Sequence, residues 1–387
     1  MRVVVVGAGI IGACVARAAI VAGCDVVVLD RDQAGSGTTS RGEGNVLVSD
    51  KPPGPELDLA LRSRRRWDDL GDELGREALE LESKGGLVVA TSVPVLGTLA
   101  RFADEQRRCG VIVEDVARPV EVEPLITPGA VGGQWYPQDA QVQPVLATVA
   151  VLADAARRGA EYRPGTDVLS ARSDTRGAIK GVVTTSGEVI DADAVVNCAG
   201  TWGGEVGRRL GGPVPVLPRK GFVLVTEPLP PSVRHKVYSA DYVANVAASS
   251  EGLETSCVVE ATRAGTILIG ASRERVGFDA SMSPSTVQRL AAQAVALFPF
   301  LAGVQLLRVY RGFRPYCPDH QPVIGPDPRV PGLFHACGHE GAGIGLAPAT
   351  GDLIAAHLTG RDPLAVAGVD PAPFLPERLL GTDMEAS

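Results

Sequence analysis

A glycine-rich turn close to the first residue decides most of what this chain can fold into. Arg2–Val6 is a short run of β-branched residues, which predicts a buried parallel strand. Gly7-Ala8-Gly9-Ile10-Ile11-Gly12 follows at once. Ala13–Ala22 then reads as a helix closed by Gly23, and Asp25–Leu29 as a second buried strand ending at Asp30. A βαβ unit with Gly7, Gly9 and Gly12 at this spacing, and an acid eighteen residues after Gly12, is the dinucleotide fingerprint. Gly7 permits the tight turn, Gly9 lets backbone N–H groups approach a pyrophosphate, and Gly12 lets helix and strand pack closely. The helix N-terminus offers partial positive charge to that pyrophosphate. Asp30 would accept hydrogen bonds from ribose hydroxyls and disfavour a 2′-phosphate, which argues against NADP. Glycine-rich turns are common as plain structure; the strand, the helix and the acid around this one make it a binding motif.

The fingerprint does not separate NAD from FAD, but three later segments do. Gly35-Ser36-Gly37-Thr38-Thr39-Ser40 directly follows the second strand, and its hydroxyls can bond phosphate and ribityl oxygens. Val195–Trp202 places a strand before an Ala199-Gly200 turn. Cys337–Ile344 opens the last helix with glycines, so that N–H donors can face a flavin edge where negative charge collects on reduction. Each segment alone could be an ordinary turn. Their joint occurrence in this order points to FAD.

The rest of the chain bounds the answer. Its 387 residues suggest roughly two to three domains. With 45% apolar and 21% charged residues it can build a large core. A formal net charge of −8 argues against bulk nucleic-acid binding. Seven scattered cysteines, none in a CxxC pair, fit no metal or cluster site and suit a reducing cytoplasm. No apolar run is long enough to span a membrane, so the reading is a soluble cytoplasmic protein. Leu57–Leu74 reads as a helix with Arg62, Arg64, Arg65 and Arg66 on a wet face. Pro144–Arg158 reads as a helix buried through Val145, Leu146, Val149, Leu152, Ala153 and Ala156. Gln134–Pro137 reads as a loop with an edge strand, and the residues after about Leu380 as a disordered tail. Segments of nucleotide-binding character recur at the start, middle and end. The fold class is therefore α/β, with a discontinuous Rossmann-type FAD-binding domain. A second, α+β domain on a mixed, largely antiparallel sheet is inserted twice.

These motifs together resemble the D-amino-acid oxidase and glycine oxidase superfamily of flavoproteins. The carrying segments are GAGIIG at 7–12, SGTTSRGEGNV at 36–46, GGLVVA at 85–90, VVNCAGTW at 195–202, PRKGFVLVTE at 218–227, GFRPYCPDHQPVIG at 312–325 and GHEGAGI at 338–344. SRGEGN with GHEGAGI is similar to the flavin subunits of bacterial amino-acid, opine and D-hydroxyproline dehydrogenases and of hydrogen cyanide synthase. The resemblance implies a GR2-like FAD domain at 1–84, 142–216 and 318–372, a substrate domain at 85–141 and 217–317, and a tail at 373–387. It implies non-covalent FAD held by Gly7, Gly9, Ile10, Ile11, Gly12, Asp30, Arg31, Gly37, Thr38, Thr39, Ser40, Val168, Ala199, Gly200, Trp202, Gly338, Gly341, Ala342, Gly343 and Ile344. Cys317 falls out of register with the cysteine that sarcosine oxidases link to flavin.

The family's carboxylate-binding arginine sits in a Gly-x-Arg-Pro segment, which implies Arg314, with Arg311 and Arg41 as rivals. Arg314 and His339, which could approach the flavin's reactive face, are the catalytic candidates, and Arg314 and Arg41 the substrate-binding ones. The implied chemistry is oxidation of the CH–N bond of a small amino acid or N-substituted amino acid to an imine, hydrolysed to an oxo acid and an amine. Implied partners are subunits carrying iron–sulfur clusters or another electron acceptor, and a homo-oligomer is admitted. Two alternatives stand beside it: an FAD-dependent 2-hydroxy-acid dehydrogenase, and a flavin-bearing electron-transfer subunit with no substrate site of its own.

Overall fold

Arg2–Val6 lies between Asp25–Asp30 and Ala194–Asn197 in parallel register, with Val5 opposite Val28 on one side and Val196 on the other. The computed structural model describes residues 1–240 and 251–380. The expected disordered end, residues 381–387, lies outside the described residues. The parallel sheet continues through Leu333–Cys337 and Glu161–Pro164 and ends in antiparallel Val323–Pro326, giving six strands. Alternation sets its two faces. Val3, Val5, Val26 and Val28 pack with the helices Ile10–Val21 and Gly343–Leu358. Val4, Val6, Val27 and Leu29 pack under the three-stranded sheet Val168–Ser173, Ile179–Thr184 and Val189–Asp191.

The second sheet has eight strands, in the order Leu306–Tyr316, Leu217–Thr226, Ile267–Arg273, Glu254–Ala261, Lys236–Ser239, Gly86–Ala90, Gly132–Tyr136 and Glu114–Val116. All neighbours are antiparallel except Lys236–Ser239 against Gly86–Ala90. One face buries Phe222, Leu224, Ile267 and Ile269 against the helix Pro284–Leu297. That helix starts at Ser283, whose hydroxyl accepts from the Thr286 N–H, with Pro284 in the first turn.

Several sequence expectations fail on packing. The helix Pro144–Arg157 buries Ala147, Thr148, Val151 and Ala155, leaving Leu146 and Val149 exposed. Of the expected apolar set only Leu152 is buried, because small residues allow the close approach to Ile10–Val21. Arg64 is buried, not wet: its Nε donates to the Gln138 carbonyl at 2.6 Å. Arg66 Nε donates to Asp352 at 2.8 Å, so only Arg65 of the four is fully exposed. Gly132–Tyr136 is an interior strand, since Glu114–Val116 covers its outer edge. Before residue 381 the chain packs on the domain: Phe374 is fully buried and Arg378 Nε donates to Asp319 at 2.7 Å. Among the described residues no helix is long and apolar enough to cross a membrane.

Candidate active site

One cavity of about 1580 Å³, counting its part open to solvent, runs from the glycine-rich turn to the inner face of the eight-stranded sheet. Gly7 sits at φ +111°, and a Cβ there would lie 2.5 Å from the Cys198 carbonyl oxygen. Gly9 faces the Thr39 hydroxyl, where a Cβ would stand at 3.2 Å. A Cβ on Gly12 would strike the Gly7 carbonyl, so Gly12 serves helix packing and stays behind the wall. The helix Ile10–Val21 has no side-chain cap, and Gly9, Ile10 and Ile11 open it onto the cavity. The Ile10 N–H donates to Thr39 Oγ1 at 3.2 Å. Asp30 also lines the cavity. Its carboxylate accepts from the Ala8 N–H at 2.7 Å and the Asp32 N–H at 2.8 Å, and each oxygen keeps a second lone-pair site. It therefore holds the turn that holds the ligand.

The next wall is aromatic. The Arg31 guanidinium lies 4.1 Å over the Trp202 ring. Trp202 stacks on Phe278 at 5.7 Å, and Phe278 meets Phe313 edge-on at 5.3 Å. Gly37 leaves room for Trp202, at 3.2 Å from a hypothetical Cβ. Thr38 Oγ1 donates to the Phe313 carbonyl at 2.9 Å, tying the loop after the second strand to the second sheet. Val168, Ala199 and Gly200 complete this end with Arg209, whose Nη1 donates to the Val168 carbonyl at 2.8 Å. Ser40 is not in the wall; its hydroxyl donates back to the carbonyls of Ser36 and Gly37.

The helix Gly343–Leu358 is the second uncapped helix start on the cavity, reached through Gly341, Gly343 and Ile344. Ala342 and Gly338 shape its entry from behind the wall: the Ala342 N–H donates to the His339 carbonyl at 3.0 Å, and Gly338 turns at φ +79°. His339 lines the cavity, but its Nε2 bonds Thr350 Oγ1 at 3.0 Å inside the helix. Thr350 gives its proton to the Leu346 carbonyl, so the imidazole is the donor. Burial lowers its pKa to about 3, which keeps the ring neutral. His339 thus ties the segment before the helix to its second turn.

Arg314 is in the wall opposite. Its Nη1 donates to the Ser272 carbonyl at 2.8 Å, and Gly221 and Gly341 leave it space. Arg41 lines the same cavity with an exposed side chain, whereas Arg311 is not in the wall. Cys317 is not in the wall; it packs in a buried cluster with Val214, Val216, Val323 and Cys337, of which Cys337 does line the cavity.

Sequence reasoning passed over five acids that line this cavity, Asp32, Glu43, Asp167, Glu205 and Glu340, and two of them, Glu43 and Glu340, stood inside quoted motifs. Glu340 adopts φ +46°, receives Arg219 Nη1 at 2.5 Å and bonds His320 Nδ1 at 3.1 Å. Glu43 is buried beside the inner face of the second sheet. A glutamate between glycines, as in SRGEGN and GHEGAG, was the available signal. Two helix dipoles aimed at one long cleft, a Cβ-free turn and an acid at the second strand's end fit a dinucleotide.

A family model described as FAD dependent oxidoreductase (DAO) matches residues 2–357. Glycine oxidase of Geobacillus kaustophilus is 30% identical over 98% of this chain and 97% of its own length. The crystal structure of glycine oxidase from that organism gives a TM-score of 0.86 at 29% identity, covering 98% of this chain and all of that one. Hydrogen cyanide synthase subunit HcnC of Pseudomonas aeruginosa is 29% identical over 92% of this chain and 83% of its own. L-proline dehydrogenase from P. horikoshii shares the fold, with a TM-score of 0.85 at 24% identity over 98% of this chain and 97% of that one.

Proposed function

The chain belongs to the DAO family of FAD-dependent oxidoreductases, and from that premise we propose that it oxidises the CH–N bond of a small amino acid or N-substituted amino acid. The product is an imine, which water hydrolyses to an oxo acid and an amine. The observation that carries the reading is Arg314: a guanidinium oriented by the Ser272 carbonyl, in the wall of the cavity that the glycine-rich turn opens. FAD is the cofactor, and when bound it accepts the hydride and its two electrons.

The chain's own residues bind, orient and shield. Arg314 takes the substrate carboxylate as a planar fork, which fixes the carbon that bears nitrogen. Gly7, Gly9 and the first turn of Ile10–Val21 take the pyrophosphate. Neutral His339 keeps the start of Gly343–Leu358 in place. The inner face of the eight-stranded sheet excludes water. Residues 1–84, 142–216 and 318–372 form the cofactor-binding part in this reading, and 85–141 with 217–317 the substrate part. The relatives named glycine oxidase support a small substrate. The relative named as a subunit supports an electron-accepting partner protein, for which iron–sulfur clusters are the fitting chemistry.

The test is anaerobic bleaching of the purified yellow protein by glycine, sarcosine, D- and L-amino acids, hydroxyprolines and opines. Bleaching by at least one of these is expected. Bleaching by 2-hydroxy acids alone would replace the reading, and no bleaching by either class would leave an electron-transfer subunit.

A further inference from the structure

The loop after the flavin-side 3₁₀ turn is held more firmly than its composition suggests. Thr38–Arg41 is one turn of 3₁₀ helix, and Arg41–Asn45 follows against the second sheet. Tyr310 Oη donates to the Gly42 carbonyl at 3.1 Å. The Val142 N–H donates to the Gly44 carbonyl at 3.0 Å, and the Gly44 N–H reaches Glu260 Oε1 at 3.4 Å. Lys236 donates to Asn45 Oδ1 and pairs with Glu260. Gly44 presses so closely on the Val142 carbonyl that no Cβ fits.

Everything in this loop is fastened except the side chain it carries. Glu43 is only 7% exposed and lines the cavity, yet its Oε1 has no hydrogen-bond partner among the described residues. A buried acceptor left open is costly and asks for a ligand. The facing residue is Gly270, where a Cβ would stand 2.8 Å from both carboxylate oxygens, so only glycine leaves the acid its place. Two residues along the same strand, the Ser272 carbonyl holds Arg314. Glu43 and Arg314 line one cavity, and the Arg314 charge is near enough to act on the Glu43 carboxyl. An acid and a guanidinium thus face the same space, as a substrate bearing a carboxylate and a nitrogen on neighbouring atoms requires.

We propose that Glu43 receives the nitrogen of the substrate and takes the proton of its ammonium group, so that the neutral amine is what reacts. This rests on the amine-oxidation reading above. In this step one N–H bond breaks and one O–H bond forms: ammonium and carboxylate become amine and carboxylic acid, and no electrons are transferred. The freed lone pair on nitrogen supports departure of hydride from the adjacent carbon. The proton leaves Glu43 for solvent after product release. An alcohol has no proton that a carboxylate can remove at neutral pH, so the arrangement selects amines over 2-hydroxy acids.

The electrostatics agree. Burial pushes the Glu43 carboxyl up to about 7; Lys236 opposes that, Glu260 adds to it, and Arg314 and Arg273 oppose it. The other titratable groups facing it are Tyr310 and Cys257, both themselves raised by burial and by Glu43. A proton acceptor works best when its pKa lies near the working pH.

The test uses FAD-loaded wild type, Glu43→Gln and Glu43→Asp. Acetate, a carboxylate without nitrogen, is titrated into each between pH 5.5 and 8.5 and followed by the flavin spectrum. Wild type should lose affinity as pH rises through about 7, on the order of tenfold, because ionised Glu43 repels the anion. Glu43→Gln should show no such inflection. With an amine that bleaches the wild type, flavin reduction by Glu43→Gln at pH 7 should fall about 100-fold. The deficit should shrink toward pH 10, where the substrate loses its proton unaided, and Glu43→Asp should recover part. An acetate titration and a pH–rate profile unchanged in Glu43→Gln, or equal defects in both variants at every pH, would overturn the proposal. Failure of every amine to bleach the wild type would instead sink the amine-oxidation reading, and the acetate titration would still judge whether Glu43 ionises in the pocket.

Discussion

Arg314→Met should disable capture of the substrate carboxylate without emptying the cofactor site. Arg314 stands on Leu306–Tyr316, a strand of the second sheet, and Gly221, opposite Gly312 on the neighbouring strand, gives its guanidinium room. Methionine fills similar volume but cannot bond the Ser272 carbonyl or a carboxylate, so the substrate anion would be desolvated with no counter-charge. Losing one partner of a buried, hydrogen-bonded charge pair costs about 2–5 kcal/mol. That corresponds to a loss of roughly 30- to 5000-fold in kcat/KM. Arg314→Lys should recover only part, because an ammonium lacks the planar fork. Arg311→Met should behave like wild type, since Arg311 is outside the cavity wall, and Arg41→Met should lose little because its side chain is exposed. The assay is stopped-flow flavin reduction against substrate concentration, with FAD content read from the visible spectrum. Near-normal saturation in Arg314→Met, with the loss appearing in Arg311→Met or Arg41→Met instead, would refute the assignment.

Gly7→Ala should lower FAD occupancy and thermal stability together, because Gly7 sits at φ +111° with the Cys198 carbonyl 2.5 Å from any Cβ; full FAD content and an unchanged Tm would contradict the turn's role. Acid precipitation should leave the yellow colour in the supernatant, since Cys317 is fully buried and does not line the cavity; a flavin mass on a Cys317 peptide would show otherwise. Glu340 gives an acid-stability signature. Burial pushes its carboxyl up, but the His320 hydrogen bond and the Arg219 charge win and lower it from 4.5 to about 2. A depressed carboxyl stabilises the fold above its unfolded value, and that contribution, roughly 3 kcal/mol, is lost as pH falls from 4.5 toward 2. Denaturant midpoints of wild type should therefore drop more steeply over that interval than those of Glu340→Gln; parallel curves would argue against it.

The first βαβ unit was legible because each of its rules is local. Strand, turn, helix and acid fall within thirty residues, and each glycine answers to a steric demand of its own neighbours. The late helix was legible for the same reason: the glycine-rich segment Cys337–Ile344 does open a helix, Gly343–Leu358. What failed depends on partners distant in sequence. Leu146 and Val149 look like a buried stripe, but the helix turns Ala147, Val151 and Ala155 inward because its neighbour packs closely there. Arg64 looks like a solvated charge until Gln138, far along the chain, supplies a carbonyl. Glu43 shows the same limit at the site. Its flanking glycines were visible, but its unpartnered oxygen and the glycine facing it, Gly270, exist only once the second sheet is assembled.

The buried pair Lys236–Glu260 belongs to this argument. Both side chains are essentially inaccessible, and taking two charges out of water costs several kcal/mol per ion before their attraction repays it. Apolar residues of the same volume would serve stability as well or better, so stability alone does not explain the pair. Its contacts do. Lys236 reaches Asn45 and Glu260 reaches the Gly44 N–H, so two strands of the second sheet grip the loop that grows out of the first sheet's nucleotide turn. A hydrophobic pair could fill that space but could not fix the register of a glycine-flanked loop, because apolar contact has no direction. Hydrogen bonds from charged groups are directional. The position they fix is that of Glu43, one residue away, and the energy spent on burying Lys236 and Glu260 is what holds an unsatisfied acid across the cavity from Arg314.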